Sequence, residues 1–484
     1  MSTMPDRPSS LSVLSLNCWG LKYISKYPKE RLAEIGARIA AHDPPPDIVG
    51  LQECWTQEGY ESIRRQTKHI LPYGKFYYGG IFGAGLAILS RWPIEESSMR
   101  GYPLSGRPTA FFRGDWYVGK GVASAKIRFG PGPKDVAEVF CTHFHAFYAG
   151  DPADSYICHR TAQAWELAKM MRGATERGHL VICVGDFNML PLSLAHRVIT
   201  GHAPVEDAWR VIHPDSSASP FSNLAEEILR KQTRSDSVEY NMSRNGMASN
   251  SILNTWHRNN RKLSNSKTAE EIIADANEPD KDAQRLDYIF VGNGYTGDGE
   301  WLVENVRVGM TERHPTLNCS LSDHFSVEAT LSWQGPPSQQ SKADDAASQA
   351  ASSGQQVKIA DKKPFPDPFA VETYDEILCM ISIYRQREYR QRRLRLGHFV
   401  TAVVVSIGCF VAVWWSPHNY VAFILMVVSS LGLAAGVIDG LIGGLFVGSE
   451  LRCLKEFEWE IENAKRIAAG TAERESLKDF MEHE

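Results

Sequence analysis

Two things are scarce in this 484-residue sequence: an excess of basic charge, and cysteines at any regular spacing. Lysine and arginine total 52 against 57 aspartates and glutamates, a formal net charge of -5. Chains that grip nucleic acid through its phosphates usually carry a basic footprint, so no nucleic-acid partner is expected. The nine cysteines are odd in number and lack the paired spacing of a zinc site or a disulfide framework. Met1 to Ser10 is polar and proline-containing rather than an apolar leader. These features together place the soluble part in the reducing cytosol. Long hydrophobic runs are also missing before residue 396. Nearly all lipid-compatible hydrophobicity lies beyond it, so two solvents have to be considered.

What is present is an ordinary globular composition, 43% hydrophobic and 23% charged, enough for a folded core. From Leu11 to about Trp333, short apolar runs alternate with helical stretches, the pattern of an α/β domain. Leu11 to Leu16, Ile48 to Leu51, Gly85 to Leu89, Val122 to Ile127, Val136 to His143, Leu180 to Val184, Leu286 to Val291 and Phe325 to Leu331 read as strands. Pro28 to Ala41 carries Leu32, Ile35 and Ile39 at helical spacing, and Tyr156 to Met171 carries Trp165, Leu167 and Met171. Residues 214–281 are polar and read as an insertion, with a helix around Phe221 to Lys231. Residues 335–368, rich in Ser, Ala, Gln, Gly and Pro, cannot bury enough apolar area to offset ordering and read as a flexible linker.

The domain order expected is therefore a hydrolytic domain over 1–334, the linker, a juxtamembrane basic helix over 369–397, a hairpin over 398–448 and a C-terminal helix over 449–484. His398 to Trp415 has no formal charge and would span about 27 Å as a helix, close to the hydrocarbon thickness. Tyr420 to Ile438 adds a second run, and Ser416 to Asn419, with Pro417, makes the turn. Arg390, Arg392, Arg393 and Arg395 precede the first span, Arg452 and Lys455 follow the second, and the turn has no Lys or Arg, so both flanks are expected in the cytosol. Gly432, Gly436, Gly440, Gly444 and Gly448 recur every four residues, a spacing that lets another helix approach. Asp439 would sit at the interface or face the first span. A buried helical hairpin in a soluble domain is the alternative.

Polar residues cluster at the ends of the expected strands. Asn17 follows the first, Glu53 the second, and Gly185-Asp186-Phe187-Asn188 a later one, while Arg285-Leu286-Asp287-Tyr288 and Ser322-Asp323-His324-Phe325 flank the last two. Hard cations such as Mg²⁺ take carboxylate and carbonyl oxygens and keep waters, so Glu53 with Asn17 makes an open site for a phosphate substrate. A histidine paired with a carboxylate, His324 with Asp287, can take a proton from water near neutral pH. Gly114 to Gly121 satisfies G-x-x-x-x-G-K, but Gly121 replaces the Ser/Thr that would hold Mg²⁺, and a strand follows instead of a helix, which argues against a nucleotide-binding loop.

The ordered series S-L-N-C-W-G, L-Q-E, T-H-F-H-A, G-D-F-N, R-L-D-Y and S-D-H-F resembles the magnesium-dependent endonuclease/exonuclease/phosphatase superfamily, which implies a four-layered α/β sandwich. The resemblance makes Glu53 the principal Mg²⁺ ligand assisted by Asn17, with Asp323 in the metal and water shell. It makes His324 the general base held by Asp287, and gives Asp186 and Asn188 the orientation of phosphate or water. His143 would bind or protonate near the scissile phosphate, and His145 would be structural.

The octapeptide Gly114 to Gly121, with Asp115 and Lys120, is similar to the P-loop-like segment of neutral sphingomyelinases and fungal inositol phosphosphingolipid phospholipases C. So are H-R-T-A-Q-A-W-E from His159, S-I-L-N-T-W from Ser251 and the C-terminal double span. Lys120 and Asp115 would then serve the lipid phosphate. Asn250 departs from the family pattern, which has Asp there. His159 and Arg160 read either as residues reaching the head group or as exposed or capping residues of the helix, and are left out of the catalytic set.

The resemblance implies a membrane-bound phospholipase C for sphingolipids, dependent on Mg²⁺ with Mn²⁺ as a possible substitute. Ceramide and a phosphorylated head group would be its products. Anionic phospholipids would be activators, through the arginines from Arg385 to Arg395. The expected location is an intracellular membrane crossed twice, the endoplasmic reticulum first and the mitochondrial membrane second, with catalytic domain and C-terminus cytosolic. A nuclease or inositol polyphosphate phosphatase on the same fold is the alternative enzyme, and a catalytically silent membrane adaptor the alternative of another class. The head group and oligomeric state stay open.

Overall fold

A computed structural model of the chain describes residues 6–146, 148, 154–216, 237–257, 277–294, 299–335 and 369–470. The helix expected around Phe221 to Lys231 and the linker from residue 336 onward lie outside them. The chain divides into two compact units, taken here one at a time.

Among the described residues the first unit has twelve strands: β1 Ser10–Asn17, β2 Ile48–Gln52, β3 Tyr73–Tyr77, β4 Leu86–Ser90, β5 Ile94–Gly101, β6 Gly121–Arg128, β7 Val136–His143, β8 Leu180–Asp186, β9 Glu206–Asp207, β10 Asp287–Gly292, β11 Glu300–Gly309 and β12 Ser326–Gln334. They form two six-stranded sheets, ordered β11-β12-β1-β2-β4-β3 and β5-β6-β7-β8-β10-β9. Both are mixed, β1 running parallel to β2 and β7 parallel to β8.

Side chains alternate across a strand with a period of two, and here that alternation decides which residues meet. Leu11 and Val13 of β1, Ala137, Val139 and Cys141 of β7, Ile182 and Val184 of β8, and Ile289 and Val291 of β10 share one core between the two sheets. The opposite parity of the first sheet, Leu14, Leu16, Val49, Leu51, Ala87 and Leu89, packs against Leu32, Ile35 and Ile39 of helix Pro28–Ala40 and Ile63 of helix Gln57–Thr67. On the second sheet the outward parity gives Tyr288 and Phe290, whose rings stack 5.5 Å apart beside His196 of helix Leu194–His202. Helix, sheet, sheet and an outer helical layer make the expected α/β sandwich. A side chain at Gly50 would lie 2.2 Å from Val184 Cγ2, so glycine there lets the sheets close together.

The second unit gathers the described parts of Pro103–Tyr117, Ala153–Ala162 and Pro368–Glu484. Helix Val371–Val413 is followed by Asn419–Leu441, a π turn at Ile442–Phe446 and helix Val447–Ala468. Two of these are long and apolar enough to cross a membrane. Their apolar surface faces outward, and Trp414, Trp415 and Tyr420 stand exposed around the turn, where interfacial aromatics belong. Inside the pair, Ser406 and Ser429 hydroxyls bond at 2.8 Å.

Only part of the glycine series is used in helix packing. A side chain at Gly436 would meet Ala402 and at Gly440 Phe399, Gly444 has only the Leu396 side chain at 3.8 Å, and Gly432 and Gly448 have open space around them. A four-residue repeat drifts about 40° per step on a helix of 3.6 residues per turn, so the series leaves the contact face at both ends. Asp439 does face the first helix: it pairs with Arg395 and, at 2.7 Å, with His398.

His159 and Arg160 are not exposed or capping residues. His159 is fully buried, its Nε2 3.2 Å from Glu450 Oε1, and the Tyr384 hydroxyl donates to the same oxygen at 2.5 Å. Arg160 is buried against Asp154. Of the arginines preceding the first span, Arg385 pairs with Glu458, Arg387 with Glu388 and Arg395 with Asp439, while Arg390 and Arg393 are exposed.

Candidate active site

The strand parity that fills the core runs on into the site. On β1 the inward position after Val13 and Ser15 is Asn17, on β7 it is His143, on β8 Asp186 and on β10 Asp287. Register aligns them, since Asp186 lies opposite both His143 and Asp287. Apolar side chains give way to a polar row at one end of the cleft between the sheets, inside the first unit.

Loops complete the row. Glu53 follows β2 in left-handed backbone, φ 53°, and Asn188 follows β8 at φ 45°. Non-glycine residues adopt this region at a cost and are held there by their surroundings. Asn188 is held because its N–H donates to Asp186 Oδ1 at 3.0 Å and its Nδ2 to Phe144 O at 3.3 Å. Lys120, buried just before β6, donates Nζ to the same carbonyl at 3.0 Å.

His324 precedes β12 and is held from one side of its ring. Its Nδ1 lies 2.8 Å from Asp287 Oδ2 and 2.8 Å from Ser249 Oγ, and Ser249 also donates to Asp287 at 2.8 Å. The other ring nitrogen, Nε2, is 3.9 Å from Asp186 Oδ2. Burial alone would lower the His324 imidazole, but Asp287, Asp186 and Asp323 outweigh it and hold it well above its ordinary value. Burial, with Lys120 and His324 nearby, holds His143 well below its ordinary value. Its Nε2 lies 3.5 Å from Asp186 and 3.9 Å from Glu53.

Burial and the neighbouring Asp323 push the Glu53 carboxyl up to about 7, and burial pushes Asp186 up to about 6 and raises Asp323. Among the described residues, no three His, Cys, Asp or Glu side chains close into a metal cage. What fits a hard cation is the charge imbalance of Glu53, Asp186, Asp287 and Asp323 together with Glu53 Oε2, which is buried without a hydrogen-bond partner. A divalent ion that binds one or two carboxylates and keeps its waters suits that set. Asn17 donates Nδ2 to Asp186 at 3.0 Å and to Glu53 at 3.4 Å, while its Oδ1 accepts from Trp19 N–H. Its amide therefore orients the carboxylates in this structure.

The structure thus gathers Asn17, Glu53, Lys120, His143, Asp186, Asn188, Asp287, Asp323 and His324 at one place. The side chain of Asp115 lies outside what is described. Two contributors had no signal in the motifs. Ser249 was reachable only as a neighbour of Asn250, whose own Nδ2 donates to Gln284 at 2.8 Å. Arg31, fully buried, donates to the carbonyls of Cys18, Trp19 and Leu321, tying the loop after β1 to the one before Asp323. The S-I-L-N-T-W stretch does related work: Asn254 donates to Ser322 O at 2.9 Å and Trp256 Nε1 to Ser320 O at 2.8 Å.

Known proteins resemble this chain in sequence. The profile of the Endonuclease/Exonuclease/phosphatase family matches residues 14–324. An inositol phosphosphingolipids phospholipase C of Schizosaccharomyces pombe is 36% identical over 469 residues, 96% of each chain. One from Saccharomyces cerevisiae is 31% identical, covering 94% of this chain and 90% of its own. The human sphingomyelin phosphodiesterase 2 is 31% identical over 205 residues, 42% of this chain and 47% of its own. The matched span begins inside β1 and ends at His324, enclosing the whole polar row, and this chain belongs to the endonuclease/exonuclease/phosphatase family.

Proposed function

We propose that this chain is a membrane-bound sphingolipid phospholipase C, hydrolysing the phosphodiester of inositol phosphosphingolipids, sphingomyelin or both to ceramide and a phosphorylated head group. The observation that carries this is the near full-length match to two fungal inositol phosphosphingolipids phospholipases C, helical unit included. The sphingomyelin phosphodiesterase match covers less than half of the chain, so inositol phosphate is the first head group to test.

In this proposal His324 is the general base in its neutral form, the carboxylates that raise its imidazole being offset when a cation is bound among them. Asp287 and Ser249 hold its Nδ1 side, leaving Nε2 toward Asp186 and the cleft. Water attacks phosphorus as Nε2 takes its proton, the bond from phosphorus to the ceramide oxygen breaks, and that oxygen leaves as the alcohol after protonation. His143, held neutral, binds a phosphoryl oxygen by hydrogen bond, and Lys120 and Asn188 would supply further donors to the developing negative charge. Asp115 would serve the phosphate from the segment leading to Lys120. Mg²⁺, or Mn²⁺ in its place, held by Glu53 with Asn17 and Asp323 beside it, would supply Lewis-acid polarisation of the phosphodiester. The two apolar helices would cross an intracellular membrane, the endoplasmic reticulum first, with both flanks cytosolic and the exposed Arg390 and Arg393 toward anionic lipid.

The test offers the purified chain inositol phosphosphingolipid, sphingomyelin, lysophospholipid and plasmid DNA, with and without Mg²⁺ and against a His324→Ala control. Release of the phosphorylated head group is the expected result. Cleavage of DNA alone would sink the lipid assignment.

A further inference from the structure

Two loops beside the site expose apolar side chains that the mechanism above does not use. Leu21 to Tyr27 follows the Asn17 strand and shows Tyr23 at 91%, Ile24 at 72% and Tyr27 at 51% exposure. Tyr78 to Gly83 follows β3 and shows Tyr78, Ile81 and Phe82, each above 60%. Such groups are costly in water when clustered, and they mark contact surfaces.

Neither loop is loosely tethered. Ser25 closes the first turn, its N–H and hydroxyl both bonded to Leu21 O at 3.0 and 2.7 Å, and Arg31 Nε holds Lys26 O at 2.8 Å. Both loops abut the Glu53 segment: Gly20 N–H donates to Glu53 O at 2.9 Å, and Cys54 N–H donates to Gly85 O at 2.9 Å. The second loop also touches the segment before Lys120, because a Cβ at Gly80 would lie 2.5 Å from Val118 O. Two apolar tips therefore flank Glu53, one of them backed onto the Lys120 strand.

The chemistry of the tips selects the occupant. In Leu21-Lys22-Tyr23-Ile24-Ser25-Lys26-Tyr27 an aliphatic point is flanked by tyrosines and by two exposed lysines. Amphipathic rings at headgroup depth with lysines reaching back to lipid phosphates are the composition of a bilayer interface. Protein–protein interfaces, by contrast, are depleted in lysine.

We propose that these two loops insert into the leaflet that holds the substrate, wedging lipids apart on both sides of Glu53 so that one phosphodiester rises into the cleft. This deepens the phospholipase reading and rests on it. The full chain is reconstituted into phosphatidylcholine vesicles containing inositol phosphosphingolipid, with and without phosphatidylserine. Tyr23→Ser/Ile24→Ser and Ile81→Ser/Phe82→Ser variants should raise KM, expressed as substrate mole fraction, at least about tenfold, the effect of withholding one large apolar side chain from hydrocarbon. Their turnover of a short-chain, water-soluble analogue should equal that of the unaltered chain.

A second measurement does not depend on activity. An environment-sensitive fluorophore on Ile24→Cys, read above the background of the labelled unaltered chain, should be quenched by bromine on acyl chains and shielded from aqueous iodide. Equal loss on vesicle and soluble substrates, or a label that iodide reaches freely in vesicles, would overturn the proposal. A label shielded by raising protein concentration without lipid would assign the loops to a protein contact instead. If the unaltered chain cleaves no sphingolipid while the label is still acyl-quenched, the phospholipase reading falls and membrane insertion stands.

Discussion

Two buried carboxylate clusters lie two residues apart in the motif Arg285-Leu286-Asp287-Tyr288, and they differ in nearly every electrostatic respect. Asp207 is buried, with Arg285 Nη1 at 2.7 Å and His196 Nε2 at 3.2 Å on one oxygen and Trp209 N–H at 3.0 Å on the other. Burial alone would raise its carboxyl, but Arg285 and His196 hold it well below the usual carboxylate range. Around Asp287 the same burial acts on four carboxylates with too few cations, and Glu53 and Asp186 rise instead. A buried charge that only holds a fold is paired, whereas a set prepared for a cation and a phosphate keeps an imbalance. Stability and function therefore respond in opposite ways to removing a charge.

The sharpest break of that contrast is His324→Ala. It should lower turnover by about 10²–10⁴-fold, the usual worth of a positioned base, a far larger effect than the loss of its contacts with Asp287 and Ser249 has on the thermal midpoint. Arg285→Met should do the reverse, destabilising by about 3 kcal/mol because buried Asp207 loses its guanidinium partner and keeps only His196 and the Trp209 N–H, measured by urea unfolding. That variant also carries a pH signature. The folded carboxyl of Asp207 lies below its unfolded value of about 3.9, so its pairing contributes stability fully present above about pH 4 and lost as pH falls toward the folded value. The acid loss assigned to this residue should shrink in Arg285→Met, where only His196 still holds the carboxyl down; an unchanged acid limb would refute the pairing.

Glu53→Gln tests the imbalance itself. Saturating Mg²⁺, at about 100 times its Kd, should stabilise the unaltered chain by about 2.7 kcal/mol and the variant by nothing, and a chelator should bring the two together. An equal Mg²⁺ response in both would move the metal elsewhere. Ser249→Ala is the mildest probe. Removing a hydrogen bond worth about 1 kcal/mol should slow turnover roughly fivefold and shift the acidic side of the pH-rate profile, where the base titrates, while substrate affinity holds.

The strands that apolar runs fail to mark are β3, β5, β9 and β11, and each is a sheet edge. An edge strand buries less of its length: β5 reads Ile94-Glu95-Glu96-Ser97-Ser98-Met99-Arg100-Gly101 and has no buried residue, so no hydrophobic pattern is required of it. Helix Gln57–Thr67 escaped for a similar reason, with Ile63 its only large buried apolar side chain. Interior strands were legible because burial on both faces demands unbroken Val, Ile and Leu. Ser249 was illegible because its partners lie 38 and 75 residues away, and nothing local marks a serine that will meet a histidine.

By itself the sequence determined the chemistry and the rows: the residue types at the strand ends, and a period of two that sends Asn17, His143, Asp186 and Asp287 to the inward face. Those properties are local, set by residue identity and backbone alternation. Tertiary structure alone decided which carboxylate would be paired and which left in excess, which glycines would touch a helix, and that the exposed tips of Tyr23 and Phe82 would flank Glu53. Burial and charge act through space, and only the packed chain sets those distances.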